Sequence, residues 1–424
     1  MRTSCRYKFN CPFVPCFLFI AVAFGVLLFS GCEGPQATDN RPVRVGVLYS
    51  MSGRMESEEK PVVDAILFAI DEINQSGGLL GRRIEPVVVD GASRRSVFKE
   101  QEINLIEKDK VAVIFGGWML LSRDIVRPVF EDRESLLFYP YQSKGMASST
   151  HVVNTGALLN QQVVPGISWA YRNLGQRFFL VGSKEVFPYA ANTVIKDHIY
   201  ALGGSIVGEE YISIESEDID SIVSIIKNVK PEVIVCTTLG KTTIALYQSL
   251  RKAGISPDDI PSIGFTIDEV LLQQLMQANI DMAGDYGVWN YFQSIQSQQN
   301  HAFLNEFKKK YGQNRAVSDT MVSAYIGVKL WAEAVKSGKS FREADVLDHV
   351  GGKSMESPGG LVYVDPQTNH LYKTVYIGEA LSNGQYKLVW ESDYPVSPVV
   401  YPMFRSQQEW EELSNIIHDK WGLN

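Results

Sequence analysis

The chain has 424 residues, 45% of them hydrophobic and 21% charged, an ordinary globular composition with length enough for two domains with substantial cores. Its formal net charge is −8, and removing Arg2, Arg6 and Lys8 with a leader would take the rest to about −11. An acidic body of this kind argues against nucleic acid as a partner.

Residues 1–32 read as a targeting segment. Arg2, Arg6 and Lys8 form its positive start, residues 12–29 are uncharged and strongly apolar, and Ser30, Gly31 and Cys32 close it. The pattern resembles a bacterial lipoprotein signal, which implies acylation at Cys32 and a lipid anchor in the membrane. An uncleaved membrane anchor is the other reading, since about 18 apolar residues span a bilayer. Residues 33–42 read as a linker of mainly small and polar residues. Cys5, Cys11, Cys16 and Cys32 all belong to the leader. Cys236 stands alone in an apolar run and reads as a buried, inert thiol.

The body begins with a strand over Val43–Tyr49 and a polar loop, Ser50 to Gly53. Val62, Ile66, Ala69, Ile70 and Ile73 then recur at helical spacing until Gly77 and Gly78. A strand over 84–89 and a helix over 97–106 follow. The stretch 111–142 repeats the unit: an apolar strand over 111–115, a turn at Gly116 and Gly117, a helix capped by Ser122 and either kinked at Pro128 or starting late, and a strand over 136–138. Three strand–helix repeats predict a parallel sheet with right-handed crossovers. In such a sheet the loops after the carboxyl ends of the strands form the ligand crevice. Those loops carry Trp118, Met119, Leu120, Tyr139, Tyr141 and Gln142, either as a wall gripping a small molecule or as packing beneath a loop.

A second series starts after Asn154. Helices are expected over 160–174, 190–202, 219–229 and 242–253, with strands over 178–182, 205–211, Val233–Thr237 and 263–266. Beyond Gly284 the pattern changes to an extended stretch over 286–291, helices over 301–311 and 321–335, and strands over 359–364, 371–377 and Tyr386–Glu391. Gln407–Trp421 reads as a terminal helix.

With these elements in place, the body from about Val43 to Pro402 resembles the periplasmic solute-binding proteins of the branched-chain amino-acid type, and within them the urea and short-chain-amide branch. Gly77 to Pro86, Leu137 to Pro140, Asn160 to Gln162, Glu209 to Ile212, Trp289 to Ile295, Asn369 to Leu371 and Trp390 to Asp393 carry the likeness. It implies an α/β fold of two Rossmann-like parallel-sheet lobes joined by a three-crossing hinge, closing around solute. The expected division is 43–156 with 291–356 as the first lobe, 157–290 with 357–404 as the second, and 405–424 as a final helix.

The resemblance also points to site residues. In that branch an aromatic follows the glycine turn and a hydroxyl-bearing residue comes next. Trp118 keeps the aromatic, while Met119 and Leu120 replace the hydroxyls. Tyr139 and Pro140 are kept, and Tyr141 follows them. In the second lobe, Glu185 stands where an aromatic normally faces ligand, Phe187 is retained, and Thr238 and Thr266 sit on neighbouring loops. Either Glu185 pairs with an amino or amidinium group of the ligand, or it faces solvent or pairs with Lys184, Lys241 or Arg54.

No cofactor, metal or catalytic constellation is proposed by the sequence. None of the six histidines pairs at metal-binding spacing, Gly240-Lys241-Thr242 lacks the first glycine of a phosphate loop, and no nucleophile elbow occurs. The expected function is a non-enzymatic, periplasmic, membrane-anchored component of an ABC importer. It would capture a small nitrogenous solute and deliver it to an inner-membrane permease. An amide-responsive sensor acting on gene expression or a membrane kinase is the alternative.

Overall fold

The computed structural model describes residues 40–117, 130, 132–146, 149–213 and 219–421. The leader, Cys32, the 33–39 part of the linker, and the helix expected after Ser122 lie outside them.

The chain opens with two strand–helix units and three further strands. It runs β1 (Val43–Tyr49), α1 (Glu56–Gln75), β2 (Ile84–Asp90), α2 (Arg95–Glu107), β3 (Ile114–Gly116), β4 (Leu137–Tyr139) and β5 (Val152–Asn154). The strands pair in parallel in the order β2-β1-β3-β4-β5. β1 is buried almost throughout, as expected for a strand covered on both faces. α1 sinks the stripe Val62, Ile66, Ala69, Ile70 and Ile73 into that core. Gly116 is fixed by close approach, since a Cβ there would lie 2.4 Å from the Leu48 carbonyl oxygen.

The chain then builds a second sheet. Here α3 (Val163–Asn173), β6 (Arg177–Ser183), α4 (Val186–Leu202), β7 (Ser205–Ile212), α5 (Asp220–Val229), β8 (Val233–Thr237), α6 (Lys241–Lys252), β9 (Ser262–Gly264), α7 (Glu269–Gln277) and β10 (Tyr286–Trp289) follow one another. β10-β9-β8-β6-β7 are parallel neighbours. After β10 the chain returns to the first sheet with α8 (Gln298–Tyr311), α9 (Asp319–Gly338) and α10 (Glu343–Val350). The Tyr325 hydroxyl on α9 donates to Glu72 on α1 at 2.8 Å, and Arg315 pairs with Asp64 of α1 at 2.7 Å.

A small antiparallel sheet follows, made of β11 (Ser354–Ser357), β12 (Gly360–Val364) and β13 (Leu371–Tyr372). β14 (Tyr376–Ala380) then pairs antiparallel to β10, β15 (Tyr386–Glu391) pairs antiparallel to β14 at the edge of the second sheet, and α11 (Gln407–Trp421) ends the fold. The first main sheet is thus parallel and the second mixed, in an α/β arrangement of two main sheets joined by three passages of chain.

The expected continuous strand over 371–377 is two strands in different sheets, because Lys373 between them is buried in an ion pair instead of alternating along a pleat. β5, α7, α10 and β11 were not foreseen in the sequence. α7 carries a legible start signal, since the Asp268 carboxylate accepts from the Leu271 N–H at 2.9 Å.

Candidate functional site

The carboxyl ends of the two parallel sheets face one another. From the first sheet come the loops after Tyr49 and Tyr139; from the second come those after Ser183, Thr237 and Gly264. Contacts run directly across. The Gln142 side-chain amide donates to the Phe265 carbonyl at 2.6 Å. Arg54 lies 3.8 Å from Glu185. A carboxylate oxygen of Glu58 lies 3.1 Å from where a Cβ on Gly240 would stand, beside Lys241.

The loop after β1 is clamped. Asp90 accepts from the Met51 N–H at 2.8 Å and from the Ser52 hydroxyl at 2.6 Å, and Ser93 Oγ accepts from the Met55 N–H at 3.1 Å. Glu59, in the first turn of α1, is fully buried and takes the Ser50 N–H on Oε2. Its Oε1 has no hydrogen-bond partner among the described residues. The buried hydroxyls of Tyr49 and Tyr141 are likewise without partners among these residues. Their rings stand 6.2 Å apart, and the Tyr139 ring is 5.9 Å from that of Tyr141.

Electrostatically this corner is acidic and buried. Burial pushes Glu59 up from 4.5 to about 8, with Glu58 and Asp90 adding repulsion against the backbone and hydroxyl bonds from Ser50. Burial also raises Tyr49 and Tyr141, and Glu59 is the largest charge acting on both. Asp268 is lifted to about 6 by burial, opposed chiefly by its bond from the Leu271 N–H. Glu185 is raised by burial, with Arg54 and Arg95 opposing the rise.

The residues singled out in the sequence distribute unevenly. Trp118, Met119 and Leu120 fall outside the described residues. Tyr139 is buried and Tyr141 half-buried at the end of β4, with the Tyr139 ring 3.1 Å from where a Cβ on Gly117 would stand. Glu185 faces Arg54, one of the pairing alternatives left open above, and also Arg95, which was not among them. Phe187 packs in the core of the second sheet. The Thr238 hydroxyl bonds Thr243 Oγ1 at 2.9 Å and Cys236 Sγ at 3.1 Å, and Thr266 Oγ1 donates to the Thr238 carbonyl at 2.6 Å. Both threonine hydroxyls are therefore engaged within their own lobe. Tyr49 and Glu59 were not among the candidates. Tyr49 was legible as the residue ending β1 at the crevice edge, whereas Glu59 sits in the run Glu56-Ser57-Glu58-Glu59-Lys60, which reads as a solvated helix start.

The family described as "Periplasmic binding protein domain" matches residues 43–407. Leu/Ile/Val-binding protein homolog 7 of Brucella abortus is 21% identical over 412 residues, covering 90% of this chain and 98% of that protein. The solute binding protein of an ABC transporter from Rhodopseudomonas palustris HaA2, solved in complex with p-hydroxybenzoic acid, superposes with a TM-score of 0.77. The two are 22% identical, with 84% of this chain and 98% of that chain covered. A leucine binding protein from Thermotoga maritima superposes with a TM-score of 0.73 at 18% identity, covering 82% of this chain and 98% of that chain. A limonene hydroxylase of Geobacillus stearothermophilus is 33% identical over 114 residues, so this chain spans only 21% of that protein's length and 27% of its own.

Proposed function

This chain belongs to the periplasmic binding protein family, and from that premise we propose that it is the extracytoplasmic solute-capturing component of an ABC importer. It holds a small nitrogenous solute, urea- or amide-like or bearing an amine, between its two sheets and hands it to a membrane permease. The observation that carries this reading is the convergence of loops from both sheets on one crevice, bridged by Gln142 to Phe265 and Arg54 to Glu185. Buried hydroxyls and a buried carboxyl on one wall supply hydrogen bonds of the kind a compact N–H-bearing solute requires. A lipid anchor at Cys32 would keep the protein beside its permease. The short match to a hydroxylase covers too little of that enzyme to carry its reaction here.

A second reading takes an aromatic acid as solute. The related Rhodopseudomonas protein holds p-hydroxybenzoic acid, and the Tyr49, Tyr139 and Tyr141 rings offer a stacking wall. It requires Arg54 or Arg95 to leave Glu185 for the ligand carboxylate.

Native mass spectrometry of protein purified from its own host tests the proposal. A single small mass retained by the folded protein and lost on denaturation is expected. Failure to retain or bind any amide, amine, amino acid or aromatic acid in a titrated panel would reject solute capture.

A further inference from the structure

Resting on that reading of the crevice, we propose that Glu59 is its specificity-determining residue and selects a small organic cation. The cation would be an amidinium, guanidinium or alkylammonium head, seated against the hydroxyls of Tyr49 and Tyr141. Three buried oxygens at this corner are without partners among the described residues, Glu59 Oε1, Tyr49 OH and Tyr141 OH; the two tyrosine rings stand 6.2 Å apart, and Glu59 is the largest charge acting on both. Leaving such groups unsatisfied is costly, and native structures keep few of them without a use. Their place is the carboxyl end of β1 and β4, where a parallel sheet presents its ligand.

The sign of the ligand's charge follows from the surroundings. The charged groups acting on Glu59 are Glu58 on its own helix and Asp90 from the end of β2, both acidic. Asp90 is held low by its bonds from Ser52, Ala92 and Met51, and so stays ionised. The tyrosines contributed by β1 and the loop after β4 are neutral until far above physiological pH. The basic groups of the rim already have acids: Arg54 and Arg95 face Glu185, and Lys241 faces Glu58. An anion would meet net repulsion at this corner. A neutral amide would leave the buried acid protonated. A cation donating N–H groups turns Glu59 into its ionised form and makes a charge-assisted contact away from water. Binding at pH 7 then displaces the proton of Glu59 to solvent, so charge balances as cation in, proton out.

Titration calorimetry at pH 7 decides the matter. Acetamidine and guanidine are compared with their neutral counterparts acetamide and urea, in phosphate and in a sulfonate buffer such as MOPS, whose ionisation enthalpies differ. The expected result is at least tenfold tighter binding of the cations, with close to one proton released per site. Glu59→Gln should abolish the proton release and weaken the cations tenfold or more, while changing the neutral compounds less. Should that variant fail to fold, proton release by the unaltered protein between pH 6 and 9 serves alone, since it must vanish above the titration of Glu59. Equal or tighter binding of acetamide or urea, or cation binding with no proton released, overturns the role of Glu59 and leaves solute capture intact. Binding of 4-hydroxybenzoate but of none of these four compounds overturns the nitrogenous ligand class itself.

Discussion

Lys373 and Asp319 form an ion pair at 3.7 Å in which both side chains are almost fully buried, and it ties together the three passages between the main sheets. Lys373, on the third passage, donates to the Thr155 carbonyl on the first at 3.0 Å and to Ser323 Oγ at 2.8 Å. Asp319 accepts from the Asn290 N–H, on the second passage, at 3.2 Å. Burial works against both charges, pushing the ammonium down and the carboxyl up.

Removing one member of this pair should therefore be severe. Lys373→Met leaves Asp319 buried and uncompensated, and urea unfolding is expected to show a loss of about 3–5 kcal/mol. Adding Asp319→Asn should restore a substantial part, because the stranded charge is then gone. A single variant as stable as the parent would show that the pair contributes nothing to the junction.

Stability should fall as pH rises from mildly acid to mildly alkaline. The folded values of Glu59 and Glu102, about 8 and about 9, lie above the ordinary 4.5, both through burial. Between 4.5 and the folded values the native state holds more protons than the unfolded chain, so raising pH favours unfolding. The contribution is complete below pH 4.5 and lost by about pH 8 to 9. Thermal unfolding at pH 5, 7 and 8.5 should show the decline, and Glu59→Gln and Glu102→Gln should each flatten it. A melting temperature rising across this range in the parent protein, with no flattening in either variant, would contradict the assignment.

Gly156→Ala should injure the crevice from behind. A Cβ there would stand 1.9 Å from the Tyr141 carbonyl oxygen and 2.6 Å from that of Pro140, so the backbone carrying Tyr141 must move. A loss of about 1–3 kcal/mol is expected, as for other overpacked sites. Solute affinity should drop alongside it in the same calorimetric titration.

Arg54→Ala separates closure from stability. Its pair with Glu185 is partly solvated, so less than about 1 kcal/mol should be lost on unfolding. Because the pair spans the crevice, the distance between spin labels on the two lobes should lengthen in the solute-free protein. An unchanged distance distribution would mean that this contact does not hold the crevice.

Much of the fold was legible because its strands are short, apolar and closed by turns. Val43–Tyr49, Val233–Thr237, Tyr386–Glu391 and Gln407–Trp421 appear with the ends read from sequence. Residues 371–377 misled because a charged residue between apolar ones resembles the polar face of an edge strand, and only the tertiary partner at Asp319 shows that the chain changes sheets there. Val152–Asn154 has three residues, too few for any periodicity. At the site, Tyr139 and Tyr141 were readable as aromatic residues at and just beyond the carboxyl end of a strand. Glu59 was not, since its burial depends on the Ser50 amide, nine positions upstream, and on the loop clamped by Asp90.

The meeting of three covalent passages at one polar junction constrains how the molecule can move. A single tether permits twist, roll and bend; three tethers knotted at one place leave bending alone at low cost. Opening and shutting then follow one coordinate, and relaxation after any perturbation should be monoexponential, whichever pair of surface positions is labelled.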